Sequence, residues 1–423
     1  MFPAPRTLSI CLLGRFSLLF WLGLVSLATA DTGGASKPAS QALGTAIEGL
    51  LFEATDSGAL PGVIAGVATR DDTVYIGSAG QRDVETSAPM NADTLIAIAS
   101  MTKPVTTVAV LQLVERGLVD LDAPFSEYLP QLERLQIIDA RDESGAWVLR
   151  DAPTVPTVRQ LLTHTSGYVY EIWNENIFDA VQGGQIPSLF VSEDGLNAPL
   201  AFPPGERWEY GIGIDWAGIV VEQISGLALD AYFEEHIFGP LQMGSSGFFV
   251  ADNQSDRAAT IYARTPEGFA PLPRPAPSEL GGGGLYSTVG DYLRFLRALL
   301  NGGALDGRRV LKPETVDAMF RNQIGDLRVS PGESQMPPVS NDFDMGFVAP
   351  ASWGLGFLRH EAATAEGRPA GSVSWAGLYN SYFWIDPENG LCAVVATQVL
   401  PFFDQRTVDL LKDIELEVYN HKP

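Results

Sequence analysis

The chain has 423 residues, of which 27 are lysine or arginine and 51 are aspartate or glutamate, so its formal net charge is −24. Such an acidic surface repels phosphates, which argues against nucleic acid and anionic membranes as partners. The length suffices for one large domain, or two closely joined domains, with a substantial hydrophobic core. Function has to be inferred from the elements and motifs along the chain.

Residues 1–30 have the pattern of an export signal. They carry two arginines and no acid, contain an apolar run of roughly a dozen residues, and end in Ala28-Thr29-Ala30. This pattern predicts a secretory signal peptide, and hence a periplasmic or secreted protein with no membrane anchor after cleavage. The alternative, a membrane-spanning helix, needs about 20 apolar residues.

The two cysteines do not predict a disulfide. Cys11 lies within the predicted signal, which leaves Cys392 alone in the mature chain. A lone cysteine cannot close an internal disulfide, even in an oxidising compartment. Because Cys392 stands in the apolar segment LCAVVAT, we expect it to be a small buried hydrophobic residue.

Both ends of the mature chain are predicted to form strands. Apolar spacing first predicts a helix over residues 41–56 and then a hairpin of two β-rich runs at 62–70 and 73–77. Near the other end, four successive strands precede a closing helix: the strands at 354–360, 372–375, 379–386 and 391–397, and the helix at 405–419.

The middle of the chain is predicted to be mainly helical. The helices are expected at 105–116, 157–164, 215–225 and 228–237. Two Pro-rich stretches, 270–278 and 330–344, are predicted to be irregular loops. Together these elements predict an α+β fold, in which an antiparallel sheet built from both chain ends is flanked by helices and carries an inserted helical region. We expect a sheet-bearing lobe from about 40–100 and 285–423, a helical lobe from about 105–280, and a cleft at their seam.

Several common catalytic motifs are absent from the sequence. No serine has glycines at both −2 and +2, as the nucleophile of an α/β-hydrolase would. The four histidines are not at metal-binding spacing, and the four glycines at 281–284 lack the Lys-Ser/Thr that follows in a phosphate loop. We therefore expect no metal or cofactor, and interpret the glycines as a place where two backbones approach closely.

One short motif carries chemistry: Ser100-Met101-Thr102-Lys103, an S-x-x-K. Alone it is ambiguous, because serine is a favoured helix N-cap and the lysine could lie on the surface. If a helix begins near Ser100, however, residues i and i+3 share a face and the hydroxyl can meet the amine. The neighbouring residues are apolar, which disfavours the charged form of a lysine. A neutral Lys103 would accept the proton of Ser100 and activate it as a nucleophile.

With this motif the sequence resembles the penicillin-binding-protein-like serine hydrolases, which include class C β-lactamases, D-alanyl-D-alanine peptidases and family VIII carboxylesterases. Further similar segments follow in the family's order: GLVDLDAPFSEYLP (117–130), LLTHTSGY (161–168), FPPGERWEYGIGIDWAGIVVEQISG (202–226) and GGGGLYSTVGDYLRFLRALLNGG (281–303). The resemblance covers most of the mature chain, from about Leu43 to the C-terminal helix. It implies a serine hydrolase that forms an acyl-enzyme on Ser100, with Lys103 as the base.

The resemblance also implies the remaining site residues. Tyr210 stands where the family has the tyrosine of Y-x-N and would relay the proton to the leaving group, although it could also be a half-buried aromatic that starts a helix. The stretch Trp375-Ala376-Gly377 stands where the family has K/H-T-G, which makes Trp375 and Gly377 substrate-binding, although W-A-G could also be an ordinary strand end. By resemblance, the backbone N–H groups of Ser100 and Leu378 form the oxyanion hole.

Two departures from the family pattern favour an uncharged ester as substrate. Y-x-N reads Tyr210-Gly211-Ile212, so the amide that contacts a β-lactam is missing, and Trp375 replaces the cation that binds a substrate carboxylate. With both changes, the motif pattern is similar to that of the carboxylesterase branch of the family. We predict an enzyme that hydrolyses small carboxylic esters. The alternatives are a β-lactamase or D-alanyl-D-alanine peptidase, and a catalytically silent binding protein on the same scaffold.

The segment from His164 to Trp173 contributes further candidates. His164 is interpreted as structural, because it lies where a helix ends at Gly167 and the mechanism already has a base. Tyr168, Tyr170 and Trp173 could line a pocket for the acyl or alcohol group, and could equally belong to the core. Tyr168 and Tyr170 are predicted as substrate-binding residues.

Overall fold

The computed structural model describes residues 38–345 and 350–423. The predicted signal peptide, residues 1–30, lies outside these residues and stays a prediction. Among the described helices, none is both long and apolar enough to cross a membrane.

The described α-helices are spread along the chain, and five of them follow one another without an intervening strand. In order they are α1 (Pro38–Asp56), α2 (Thr102–Glu115), α3 (Val158–Leu162), α4 (Glu175–Gln182), α5 (Gly213–Ser225), α6 (Leu229–Phe233), α7 (Gly239–Leu241), α8 (Val289–Leu300), α9 (Pro313–Met319) and α10 (Gln405–Asn420). Side-chain caps define several starts: Thr157 for α3, Thr288 for α8 and Asp404 for α10 each accept a backbone N–H from three residues further on.

The described strands cluster at the two ends of the chain, with short pieces between. In order they are β1 (Gly62–Thr69), β2 (Thr73–Asp83), β3 (Ala88–Pro89), β4 (Ile96–Ala97), β5 (Gln136–Arg141), β6 (Trp147–Asp151), β7 (Ile261–Thr265), β8 (Gly268–Leu272), β9 (Tyr286–Ser287), β10 (Ala304–Leu305), β11 (Arg308–Arg309), β12 (Ala351–Trp353), β13 (Leu358–His360), β14 (Val373–Gly377), β15 (Ser381–Asp386), β16 (Leu391–Ala396) and β17 (Val399–Leu400).

The main sheet has eight strands in the order β12-β13-β14-β15-β16-β1-β2-β3. The N-terminal hairpin β1–β2 joins the C-terminal strands through an antiparallel pairing of β1 with β16, in which Ile64 faces Ala396. β1 is buried almost throughout and β16 throughout, which explains their nearly continuous apolar sequences. The predicted α+β fold, with an antiparallel sheet built from both chain ends, is confirmed.

Helices pack against this sheet. α1 contacts β2 and α10, while α8 contacts β1 and β16. Gly66 in β1 permits the close approach of α8, because an added Cβ would lie 2.7 Å from side-chain carbons of Val289 and Leu293. Cys392 in β16 is buried, and burial raises the pKa of its thiol to about 12. It is therefore an unreactive core residue at neutral pH.

The middle region is only partly helical. α2, α3 and α6 pack against α5, but the hairpins β5–β6 and β7–β8, which the sequence did not predict, lie in the same stretch of chain. The predicted helix at 228–237 ends in a π-helical turn, Glu234–Phe238. Residues 270–272, predicted to be a loop, belong to β8, because an edge strand tolerates Pro271. The division into a sheet-bearing and a helical lobe stays a prediction.

The 3₁₀ turn Ala99–Met101, which precedes α2, meets the end of β14, and this junction positions the candidate site. Gly377, the last residue of β14, lies directly against the backbone that precedes Ser100. A Cβ at this position would be 2.3 Å from the carbonyl oxygen of Ile98. Only glycine therefore lets the sheet edge approach Ser100 so closely.

Candidate active site

Ser100 lies in a single 3₁₀ turn, Ala99–Met101, just before α2. Ala99 has a φ of 45°, in the left-handed region that costs a non-glycine residue about 1 kcal/mol. The N-cap of α2 is Met101, and no side chain caps the helix. The interpretation of Ser100 as a helix cap is therefore wrong, because the helix begins two residues later.

Lys103, in the first turn of α2, is completely buried. Its Nζ lies 3.2 Å from Oγ of Ser100, 2.9 Å from the hydroxyl of Tyr170 and 2.6 Å from the carbonyl oxygen of Gly282. It also lies 5.0 Å and 4.9 Å from the ring centroids of Tyr170 and Tyr210. The structure thus brings Ser100, Lys103 and Tyr210 together, and Lys103 is not a surface lysine.

Tyr210 and Trp375 are in contact with each other beside Ser100 and Lys103. The indole Nε1–H of Trp375 donates to the hydroxyl oxygen of Tyr210 at 3.1 Å, and the two ring centroids are 4.8 Å apart. β14 holds Trp375, which packs on Trp353 with 4.6 Å between centroids. A neutral N–H donor therefore stands where the resemblance implies a cation.

Asp215, in the first turn of α5, is a charged group of the site that the sequence analysis missed. It is 2% exposed, and its Oδ1 accepts the backbone N–H of Gly282 at 2.8 Å. Burial raises the pKa of Asp215, and the charge of Lys103 opposes this effect. The surroundings of Lys103 are thus not only apolar. An isolated acid within the apolar stretch GIGIDWAGIVV, five residues after Tyr210, was the available signal, because buried acids need partners.

Tyr170 contacts Lys103 directly, a role that the sequence did not indicate. Burial, followed by the charge of Asp215, raises the pKa of Tyr170 well above its usual value of about 10. The phenol therefore keeps its proton at neutral pH, and its oxygen accepts a hydrogen bond from Lys103.

His164 lies behind Tyr210 rather than beside Ser100. Its Nδ1 accepts the backbone N–H of Gly211 at 3.3 Å, and its ring centroid is 4.6 Å from that of Tyr210 and 4.9 Å from that of Trp353. Burial, and then the charge of Lys103, lower the pKa of His164 well below its usual range. A neutral His164 thus supports the backbone next to Tyr210, which fits a structural role.

Ser100 lies where two cavities meet. The larger cavity has a volume of about 220 Å³ and a mainly apolar lining, to which Leu189, Phe190 and Leu280 contribute. Asp215 is the one charged side chain among the described residues that line it. Such a cavity suits an uncharged apolar group.

The smaller cavity, of about 20 Å³, is a narrow aromatic slot. Its lining is Ser100, Trp173, Tyr210, Phe343, Trp375, Ala376, Gly377, Leu378 and Phe402. Leu378 lines both cavities, so the predicted second oxyanion donor lies near Ser100. Over residues 38–345 and 350–423, no lysine, arginine or histidine lines either cavity.

The three aromatic candidates that follow Gly167 lie in different places in the structure. Tyr168 is 3% exposed and packs in the core, with its ring centroid 6.4 Å from that of Phe125 and 6.1 Å from that of Trp216. Tyr170 lines the larger cavity, and Trp173 lines both. The structure therefore does not bring Tyr168 to the site.

The side chains around Ser100 suit nucleophilic catalysis. They supply a hydroxyl, an amine, two phenols and a carboxylate, which together can attack a carbonyl carbon and transfer protons. In the part of the chain that the structure describes, no cluster of three histidine, cysteine, aspartate or glutamate side chains could hold a metal ion.

Known proteins are similar to this chain over most of its length. A family model described as beta-lactamase matches residues 47–415. The lovastatin esterase of Penicillium rubens is 31% identical over 391 residues, which cover 86% of this chain and 96% of that protein. Esterase EstB of Burkholderia gladioli is 32% identical over 375 residues, which cover 80% of this chain and 86% of that protein.

A solved structure extends the similarity to three dimensions. Unliganded simvastatin synthase (LovD) from Aspergillus terreus matches with a TM-score of 0.77 at 29% identity, over 90% of this chain and 99% of that chain. The resemblance inferred from the S-x-x-K motif and the later segments is thereby confirmed.

Proposed function

Because this chain belongs to the beta-lactamase family of serine hydrolases, we propose that it cleaves small carboxylic esters through an acyl-enzyme intermediate on Ser100. The observation that carries the proposal is the 3.2 Å contact between Oγ of Ser100 and Nζ of Lys103 at the edge of a mainly apolar cavity. This distance falls within the reach of a general base, about 2.6–3.2 Å.

In the proposed reaction, Oγ of Ser100 attacks the ester carbonyl carbon while its proton passes to the Lys103/Tyr210 pair. The pair then gives that proton to the leaving alkoxide, which departs as an alcohol. Water attacks the acyl-enzyme, releases the carboxylic acid and returns the serine to its protonated state. The backbone N–H groups of Ser100 and Leu378 are proposed to bind the carbonyl oxygen, a contribution of about 3 kcal/mol for each donor.

The lining of the two cavities supports an uncharged substrate. The substrate carboxylate of a β-lactam or of a D-alanyl peptide needs a cation, and none lines either cavity within the described residues. A substrate carboxylate in the larger cavity would instead meet Asp215. Like charges at close range in a buried site are unfavourable. An ester with an apolar acyl group avoids both problems.

We expect the protein to hydrolyse p-nitrophenyl butyrate, and to turn over a chromogenic cephalosporin with a kcat/KM lower by about 100-fold or more. The physical reason is the missing cation described above. Parallel measurement of the two reactions on the same preparation checks this. A fluorophosphonate probe should also label the wild-type protein, with the modified peptide containing Ser100.

The control is Ser100→Ala, which should not be labelled. Cephalosporin turnover as efficient as that of the ester would reverse the choice in favour of a β-lactamase. A wild-type protein that neither turns over esters nor accepts the probe would instead support the catalytically silent alternative.

Phe190 is expected to set the preference for acyl length. Its side chain lines the larger cavity yet is 49% exposed, so a longer acyl chain would cover it. We expect Phe190→Ala to lower kcat/KM for p-nitrophenyl hexanoate by about tenfold, which corresponds to about 1.4 kcal/mol of lost contact. The value for p-nitrophenyl acetate should change by less than about threefold, because the acetyl group is too short to reach the rim.

Phe249 offers a matched control for this variant. It is similarly exposed, at 53%, but does not line the larger cavity. Phe249→Ala should leave both esters unaffected. An equal loss for acetate and hexanoate in Phe190→Ala would show that Phe190 does not act through acyl length.

A further inference from the structure

Asp215 is a buried carboxylate that the reaction above does not use. Its Oδ1 is bound by Gly282, but its Oδ2 has no well-formed hydrogen bond within the described residues, although the Tyr170 hydroxyl acts on this carboxyl. Asp215 also lines the larger cavity. A buried carboxylate oxygen without a well-formed hydrogen bond is unfavourable, so its retention calls for a reason.

One glycine links Asp215 to the lysine of the site. The N–H of Gly282 donates to Asp215, while its carbonyl oxygen accepts from Lys103 at 2.6 Å. An added Cβ on Gly282 would lie 2.3 Å from Oδ2 of Asp215. The carboxylate therefore packs directly on the glycine and fixes the backbone that holds the amine.

Asp215 also supplies the charge that Lys103 needs. Lys103 is completely buried, and its other side-chain partners, Ser100, Tyr170 and Tyr210, are hydroxyl groups or aromatic rings. The charges of Lys103 and Asp215 attract each other. An ammonium group in the interior is strongly unfavourable unless an opposite charge offsets it.

We propose that Asp215 is a positioning residue for Lys103, which it holds in line with Ser100 through Gly282 and whose charge it balances. The proposal rests on the proposed function, because it assumes that Lys103 activates Ser100. Asp215 acts through other groups and does not itself take the proton of Ser100.

Two variants of Asp215 distinguish its effect on the position of Lys103 from its effect on the charge of the site. Asp215→Asn removes the charge but keeps an oxygen that can accept from Gly282, whereas Asp215→Ala removes both. Without the negative charge the protonated state of the site is less favourable. The acidic limb of the pH–rate profile should therefore move to lower pH by about one unit in both variants. Asp215→Ala should in addition lower the plateau rate by about 100-fold, because Gly282 and the lysine are no longer held in place.

The experiment measures the rate of fluorophosphonate labelling of Ser100 against pH, together with the Tm of each protein. The side chains that act on the Asp215 carboxyl are Lys103 and Tyr170, and Tyr210 in turn acts on Tyr170. Asp386→Asn is the control, because Asp386 is also fully buried and accepts a backbone N–H, from Asn389 at 2.9 Å, but does not line the cavities. This control is expected to lower the Tm and to leave the labelling profile unchanged.

Each outcome decides between the two proposals. One outcome is that the wild type is labelled and that the labelling rates of both Asp215 variants stay within about threefold of the wild-type rates at every pH. This outcome would overturn the positioning role and leave the proposed function intact. Absence of labelling in the wild type would overturn both. If Asp215→Ala loses its cooperative unfolding transition, formate, which is small enough to take the place of the carboxylate, should restore folding and labelling while chloride does not. Equal failure of both anions would overturn the proposal.

Discussion

Replacement of Ser100 by alanine or of Lys103 by methionine is expected to lower kcat/KM for p-nitrophenyl butyrate by about 10⁴-fold or more. The two residues act as one unit, because the hydroxyl is a weak nucleophile until a base takes its proton. Oγ of Ser100 and Nζ of Lys103 are in direct contact, at 3.2 Å. The double variant should therefore be no slower than either single variant.

The two variants should differ in stability. Methionine at position 103 keeps most of the length of the lysine side chain but not its charge, and leaves the carboxylate of Asp215 buried without an opposite charge. We expect Lys103→Met to lower the free energy of unfolding by about 3 kcal/mol, and addition of Asp215→Asn to recover part of that loss. Ser100→Ala should unfold at nearly the wild-type urea concentration.

Steady-state kinetics and urea unfolding curves check these expectations. Substantial ester turnover by Ser100→Ala would remove Ser100 from the mechanism. A Lys103→Met protein as stable as the wild type would show that the buried lysine and carboxylate do not depend on each other.

The sheet was predictable because its signals are local. The strands near both ends combine apolar runs with turn residues, such as Pro387 to Gly390 between β15 and β16, so the antiparallel pairing of most of them follows from the sequence. Their number does not, because the predicted strand at 354–360 is the turn and second strand of the hairpin β12–β13, and β3 was not predicted. The contact of Ser100 with Lys103 is equally local, since it spans only three residues. The hairpin β5–β6 was missed because its strands are mostly exposed, and β7–β8 because its strands are largely half-buried and carry little apolar alternation.

The rest of the site depends on contacts that are distant in sequence. Lys103 is bound by Tyr170 and by Gly282, 67 and 179 residues further on, and no spacing rule connects them. Tyr168 and Tyr170 carry the same side chain two residues apart in a segment outside helices and strands. Tyr168 enters the core because it packs against Phe125 and Trp216, whereas Tyr170 reaches the lysine, and neither contact is visible in the local sequence.

Replacement of Tyr210 by phenylalanine is expected to lower kcat/KM for the ester by about 10³-fold, whereas Tyr170→Phe should lower it by only about tenfold. Both phenols lie beside Lys103, but their hydrogen bonds differ. The oxygen of Tyr210 accepts the indole N–H of Trp375, a bond that does not use the hydroxyl hydrogen of Tyr210, and Tyr210 lines the aromatic slot with Ser100. Tyr170, whose pKa is raised well above the usual value by burial and then by the charge of Asp215, keeps its proton and accepts a hydrogen bond from Lys103.

Esters with different leaving alcohols distinguish the two roles. A residue that delivers a proton to the leaving group matters more for a poor leaving group, so the loss in Tyr210→Phe should be larger for an ethyl ester than for a p-nitrophenyl ester. The loss in Tyr170→Phe should be the same for both, because its effect is on the position of Lys103. The assignment of Tyr210 as the relay would be wrong if Tyr170→Phe showed the larger loss and the stronger dependence on the alcohol. In that case the proton would leave the site through the phenol that Asp215 faces, on the side of the larger cavity.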